Sequence, residues 1–223
     1  MDTIFRGDLV TVRGRLLAWL DCLLVDHGIF RLAWSNFAPV VPDQLYRCNH
    51  PLPGRLATLT RRFGLRTLIN LRGPTGNGAD ALSREAAARL GLVFIDVPMR
   101  SCVPPRREVI QHLHEIYRTM QEPALIHCKS GADRAGLAAS IYLLFIGAPV
   151  AEARAQLSLR FGHFSWSRAG VLDAFLSRYQ IEAEGRKSFL QWLQDDYDPL
   201  LLSYEAPSNR VIEFINDRLL HRE

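Results

Sequence analysis

The sequence predicts an α/β fold, with a short central sheet flanked by helices and extra helices at both the N- and C-terminal ends. Two observations carry this. Between residues 39 and 146, short apolar runs of strand character alternate with stretches of helical periodicity, and Gly or Pro punctuates the joints. Beyond Pro149 only helical patterns follow.

Taken in order, the first 37 residues stand apart. Apolar side chains recur at mixed helical spacing over 9–37, and Gly28 interrupts them, so two short helices are expected rather than one. Residues 44–48 read as a strand closed by Pro51, Pro53 and Gly54. Residues 56–63 read as a helix with Gly64 at its end, and 67–71 as a buried strand stopped by Gly73 and Pro74. An alanine-rich helix over 82–90, capped by Gly91, precedes a strand over 92–97 that Pro98 ends. Pro104 and Pro105 introduce a helix over 106–120. A fourth strand, 124–127, runs directly into a Gly-containing turn and the apolar helix 135–146. Further helices are expected at 151–161, 171–179, 188–194 and 209–220. The division that follows is an N-terminal helical extension over 1–38, an α/β domain over 39–165, and a C-terminal helical extension over 166–223 packed on the same core.

With 223 residues, 48% hydrophobic and 22% charged, the chain suits a globular protein with one sizeable core. A net charge of +4 argues only weakly for anionic partners, and no nucleic-acid partner is expected. Lys129 and Lys187 are the two lysines among 27 basic residues; the rest are arginine. Cys22, Cys48, Cys102 and Cys128 lack the paired spacing of a zinc site or a disulfide framework, which predicts free thiols in a reducing, cytoplasmic setting. Asp2, Asp8 and the lack of an uninterrupted apolar stretch argue against a secretory leader. The longest apolar candidate, 16–25, is broken by Asp21 and falls short of the roughly 20 residues that span a bilayer. Trp19, Trp34, Arg13, Arg15 and Arg31 give 9–37 a basic, aromatic character. That segment reads either as a helical hairpin packed on the core or as a peripheral membrane contact.

The chemistry concentrates in the run from Leu125 to Gly136, where strand, seven-residue loop and helix follow one another. Backbone amides of a tight loop at a helix N-terminus converge on an anion, and the helix dipole adds favourable potential. The same field favours a thiolate at Cys128, which can then attack phosphorus. Arg134 closes the loop with a planar fork that takes two phosphate oxygens at once. Gly131 permits close backbone approach and positive φ. Lys129, Ser130, Gly131, Ala132, Asp133 and Arg134 are the candidate phosphate-binding residues.

His127, Cys128, Gly131 and Arg134 match His-Cys-x5-Arg with its central glycine, and over about residues 39–160 the sequence resembles the protein tyrosine phosphatase superfamily, in particular its small dual-specificity-like members of bacterial type. The resemblance implies the cysteine-phosphatase fold. It also implies a metal-independent, cofactor-free hydrolysis of phosphomonoesters through a phosphocysteine. His127 would then organise the loop rather than act as acid or base.

In that family an aspartate about 30 residues before the cysteine protonates the leaving oxygen. Asp96 lies at that distance, although aligning by the strand end puts Ser101 there instead and leaves Asp96 to structural work. Asp133, inside the loop, is the alternative and the slightly favoured one, since the myotubularin lipid phosphatases carry an aspartate immediately before their arginine. Two departures matter. Ala135 stands where most members have Ser or Thr, which predicts slower release of the phosphocysteine unless Ser130 compensates. Lys129 resembles the tensin-related lipid phosphatases, but their second loop lysine is missing.

Arg72 reads as a substrate contact or a salt-bridged arginine, His163 as a residue lining the pocket, and Cys48 or Cys102 as a resolving thiol. The expected substrate is a phosphotyrosine protein, or a phosphoinositide, other phospholipid or inositol phosphate. The rivals are a catalytically weak module that recognises phosphorylated partners and, lower, a rhodanese-type sulfur transferase.

Overall fold

The computed structural model describes residues 3–203 and divides the chain into two compact units: 1–98 with 120–131, and 99–119 with 132–223. The helix expected at 209–220 lies outside the described residues.

The first unit holds the sheet. Its strands are β1 (Ala38–Val41), β2 (Leu45–Cys48), β3 (Thr67–Asn70), β4 (Val93–Asp96) and β5 (Ala124–His127), in the order β1-β2-β5-β3-β4. β1 runs antiparallel to β2, whereas β2, β5, β3 and β4 are parallel. Every residue of β2, β3 and β5 is buried, as befits central parallel strands covered on both faces. β1 was not anticipated, because Pro39 and Pro42 make its sequence read as a loop; Pro is tolerated there because the strand lies at the edge.

Among its described residues this unit has four α-helices: α1 (Val12–Leu20), α2 (Phe30–Ala33), α3 (Pro53–Phe63) and α4 (Gly78–Arg89). A π-helical turn, Asp21–Val25, continues α1. Pro53 starts α3 and Gly64, at φ 63°, ends it; Leu56 and Leu59 face the core with Tyr46, Leu68 and Leu125. α4 begins four residues earlier than its alanines suggest. Asn77 caps it by accepting from the Asp80 amide, and Gly78 lets α1 come close. A Cβ on Gly78 would lie 2.3 Å from the Ala18 carbonyl oxygen. Asp21 Oδ2 also accepts from the Gly78 amide at 2.7 Å, so the N-terminal helices are fastened to the first turn of α4.

Among its described residues the second unit is helical: α5 (Arg107–Thr119), α6 (Asp133–Phe145), α7 (Val150–Arg154), α8 (Val171–Glu182), α9 (Phe189–Asp195) and α10 (Pro199–Ser203). α6 is buried on every side from Asp133 to Leu144, which is why its sequence shows apolar content without an amphipathic stripe. Tyr117 of α5 donates to the Ala138 carbonyl of α6 at 2.9 Å. Phe175, Phe189, Trp192 and Tyr197 form a cluster of edge-on and tilted ring contacts, and Tyr197 donates to the Pro105 carbonyl at 2.8 Å. The single helix expected over 151–161 is two pieces, α7 and a 3₁₀ turn Leu159–Phe161, with an extended Ser158 ahead of the second.

Candidate active site

β5 is the middle strand, and its carboxyl end is level with those of its neighbours: Cys48 of β2 and Asn70 of β3 both pair with His127. Cys128 follows at once. The loop 128–134 therefore leaves the sheet at the edge where open α/β folds bind their ligands. The chain passes from the first unit to the second inside this loop, between Gly131 and Ala132.

The first half is held by its carbonyls. The Lys129 oxygen accepts from the His50 amide at 3.3 Å, the Ser130 oxygen from Asn36 Nδ2 at 3.1 Å, and the Gly131 oxygen from Arg47 Nη2 at 2.6 Å. In a planar trans peptide the N–H points opposite to the preceding C=O. Binding three successive carbonyls to the surrounding scaffold thus turns the amides of Ser130, Gly131 and Ala132 the other way. The Gly131 amide accordingly donates to Cys128 Sγ at 3.2 Å, and the loop curls around the sulfur. Gly131 sits at φ 76°, and a Cβ there would lie 2.6 Å from the Asn49 nitrogen and 2.8 Å from the Cys48 carbonyl carbon. Both the conformation and the space demand glycine.

Beneath this half lies a buried chain of polar groups. The His127 ring meets the His50 ring edge-on at 4.6 Å. Burial, followed by the charges around it, pushes the His50 imidazole well below its ordinary value, so it is neutral and its Nδ1 accepts from Arg72 Nη1 at 3.2 Å. Arg72 in turn holds Asp26 with two bonds, at 3.0 and 2.7 Å, and Arg31 takes the same carboxylate at 2.5 Å. Burial opposes the charge on Asp26, yet the two guanidinium groups outweigh it and hold the carboxyl below its ordinary value. Arg72 is thus the salt-bridged arginine of the two readings.

The second half opens α6. Asp133 and Arg134 occupy its first turn, and its N-cap, Ala132, makes no side-chain cap hydrogen bond. Arg134 is only 7% exposed, and its side chain has no hydrogen bond or ion pair among the described residues. Asp133, also buried, places Oδ1 2.7 Å from His163 Nδ1, while His163 Nε2 lies 2.7 Å from Asp173 Oδ2. Asp133 Oδ2 has no partner among the described residues. His163, expected to line a pocket, is 1% exposed and serves this carboxylate instead.

Asp96 is engaged differently. Its Oδ1 accepts from Asn70 Nδ2 at 2.9 Å and its Oδ2 pairs with Arg84 at 2.7 Å, which ties the end of β4 to β3 and α4. Ser101 is buried with its Oγ 3.6 Å from Cys102 Sγ. The Cys48 thiol is fully buried, and burial together with the neighbouring Cys128 pushes its pKa up, away from the reactivity a resolving thiol needs. Asn36, Arg47, His50 and Asp173 were not singled out from the sequence. Of these, only Arg47 carried a signal, a charged residue inside an otherwise apolar strand.

Residues 35–180 match the family model of the Swiss Army Knife protein, DSP-PTPase phosphatase domain. No curated protein sequence matches the chain at a significant level. Among solved structures, TpbA from P. aeruginosa is similar at 21% identity and a TM-score of 0.54, covering 71% of this chain and 97% of its own. The core catalytic domain of the PP-IP phosphatase SIW14 from S. cerevisiae is similar at 17% identity and a TM-score of 0.51, covering 68% and 93%. PTPMT1 is similar at 15% identity and a TM-score of 0.50, covering 67% and 99%. At these identities the likeness is one of fold, and the α/β class expected from the sequence is the one observed.

Replacing Gly131 tests the loop geometry. Gly131→Ala is expected to lower phosphatase turnover by about a hundredfold or more, the scale of an ångström-sized misplacement, while circular dichroism stays close to that of the parent. A Gly131→Ala protein with full turnover would refute the shape described here.

Proposed function

The chain belongs to the Swiss Army Knife DSP-PTPase phosphatase domain family and is a cysteine-dependent phosphatase; on that premise we propose that it hydrolyses phosphomonoesters through a phosphocysteine on Cys128. The observation that carries this reading is Arg134, a nearly buried guanidinium whose side chain has no hydrogen bond or ion pair among the described residues, in the first turn of α6. A buried, unpaired charge is costly, and an anion held by its fork removes the cost.

In the proposed reaction Cys128 Sγ attacks phosphorus and the bond to the leaving oxygen breaks. The loop amides and Arg134 bind the phosphoryl oxygens. Asp133 protonates the leaving oxygen, then takes a proton from the water that cleaves the S–P bond and restores the thiolate. Asp133 is preferred to Asp96 because it lies in the loop with one oxygen unengaged, whereas both oxygens of Asp96 are bonded. Ala135 supplies no hydroxyl to the departing thiolate, which slows the second step unless Ser130 supplies one.

TpbA has been solved in complex with pTyr, and SIW14 is described as a PP-IP phosphatase. For this chain we favour a phosphate ester carried by a membrane lipid over a phosphotyrosine protein, with the enzyme peripheral to the membrane. Of the eighteen exposed large hydrophobic side chains among the described residues, ten lie in the first 34 residues. Val12, Leu16 and Leu20 form one stripe of α1, at 87%, 59% and 37% exposure, and Leu24, Phe30 and Trp34 extend the apolar surface. Exposed Arg6 and Arg13 beside it suit anionic headgroups. No helix among the described residues is long and apolar enough to cross a membrane.

Hydrolysis of para-nitrophenyl phosphate between about pH 5 and 8 tests the chemistry. Turnover is expected to be unaffected by EDTA, absent in Cys128→Ser, and lowered about 10²- to 10⁴-fold in Asp133→Asn. Phosphate binding without any turnover by the wild type would favour a module that recognises phosphorylated partners. For the membrane contact, the intact chain is expected to sediment with phosphatidylglycerol vesicles at low salt but not with phosphatidylcholine alone, and Leu16→Glu with Phe30→Glu to remain in solution. Failure to bind anionic vesicles at low salt would dispose of the lipid reading.

A further inference from the structure

An aspartate in a phosphate-binding loop is an electrostatic liability. Asp133 immediately precedes Arg134 in the chain, so its carboxylate charge lies within the same loop that receives a phosphate dianion, and like charges at that range repel. We propose that His163 is the counter-charge of Asp133: its imidazolium, held between Asp133 and Asp173, cancels the carboxylate inside the loop and fixes its direction. The proposal rests on the phosphatase reading and gives a residue outside the motif a positioning role in it.

While both acids are ionised, the geometry requires the cation. His163 Nδ1 and Nε2 each lie 2.7 Å from a carboxylate oxygen, Asp133 Oδ1 and Asp173 Oδ2 respectively. A carboxylate only accepts, so both ring nitrogens must donate, and only the doubly protonated ring does so. At 1% exposure no solvent reaches the ring to do this work instead. Burial opposes the charge, but the hydrogen bonds and charges of Asp133 and Asp173 outweigh it and lift the imidazole to about 9. The charged groups facing the ring are these two carboxylates, one from the first turn of α6 and the other from the first turn of α8.

The backbone prepares this placement. Gly162, at φ 75°, ends the 3₁₀ turn, and the His163 amide donates to the Ser158 carbonyl at 3.1 Å. His163 is therefore anchored at its own main chain before its ring meets either acid. The second carboxylate matters as much as the first. With Asp133 alone, the pair would be one buried cation against one buried anion; Asp173, at 20% side-chain exposure, adds the charge that keeps the proton on the ring. One proton shared between Nδ1 and Oδ1 leaves the His163–Asp133 pair with no net charge whichever atom holds it. When Asp133 gives its proton to the leaving oxygen the pair carries one negative charge, and the proton taken from the attacking water restores its neutrality.

The sign of the pH dependence follows. The His163 value is raised, so the pairing is complete below the ordinary histidine range and is lost as pH climbs through about 9. Above that, Asp133 is left uncancelled and phosphate binds more weakly. The test is calorimetric binding of inorganic phosphate to Cys128→Ser, which cannot turn over, with further substitutions added. His163→Gln is expected to weaken binding at about pH 7.5 by about tenfold or more, one unit of charge interaction. Adding Asp133→Asn to His163→Gln is expected to recover most of that loss, because the uncancelled charge is gone.

Phosphate affinity of the Cys128→Ser parent should also fall as pH rises through about 9, and this fall should be absent when Asp133→Asn is present. The second comparison stands even if His163→Gln fails to fold. Equal phosphate affinity with and without His163→Gln, or a double variant no better than His163→Gln, would overturn the proposal, as would a parent affinity flat through that pH range. A Cys128→Ser parent that binds no phosphate, together with a wild type that hydrolyses no para-nitrophenyl phosphate, would overturn the phosphatase reading itself.

Discussion

The constraint on which the rest depends is the fastening of three consecutive loop carbonyls, those of Lys129, Ser130 and Gly131, to donors outside the loop. Peptide planarity then leaves the intervening amides no choice of direction. A phosphate loop is commonly described by what points at the phosphate, but its shape is set by what holds its other side. Here that side is held by Asn36, Arg47 and the His50 amide, and Gly131 is pressed against the backbone of Cys48 and Asn49 so closely that no side chain fits. Arg47, fully buried in β2, donates to the Gly131 carbonyl oxygen. A charge-assisted bond of this kind, formed away from water, is among the stronger restraints a fold can place on a turn.

The same economy of charge recurs around the loop. Asp26, in the N-terminal segment, gathers Arg31 and Arg72, and Arg72 then presents a donor to a neutral His50, whose ring abuts that of His127. The N-terminal helices are thereby part of the support of the sheet's active edge, as well as the bearer of an exposed apolar surface. Burying such a network yields little net stability, because desolvation consumes most of the attraction. What it provides is a single arrangement, since removal of Asp26 strands two guanidinium charges in the interior. In the second unit Asp133, His163 and Asp173 repeat the device with the signs exchanged, one cation between two anions.

Much of this was legible in the sequence. The strand Ala124–His127 and the helix after it announce themselves by an apolar run, a glycine-bearing turn and a second apolar run. Cys128, Gly131 and Arg134 could be given roles because a tight loop at a helix N-terminus has one obvious use. The strand β1 was hidden by its prolines, and the early start of α4 by a glycine that serves as a contact surface for Ala18 rather than as a breaker. What could not be read were the pairings. Arg72 and Asp26 are 46 positions apart, and His163 and Asp133 are 30 apart. No local periodicity links such residues; only the fold brings them within reach. Asp96 illustrates the converse: a residue at the expected sequence distance for an acid, with both oxygens occupied in holding a strand end.

The central claim is that phosphate passes through a covalent bond to Cys128, and acid quenching during turnover of para-nitrophenyl phosphate, followed by mass analysis of the peptides, tests it most directly. The account predicts a phosphoryl group on the peptide containing Cys128, accumulating because Ala135 offers no hydroxyl to assist its release, and absent in Cys128→Ser. Turnover with the phosphoryl group found on another residue, or sustained turnover by Cys128→Ser, would contradict it.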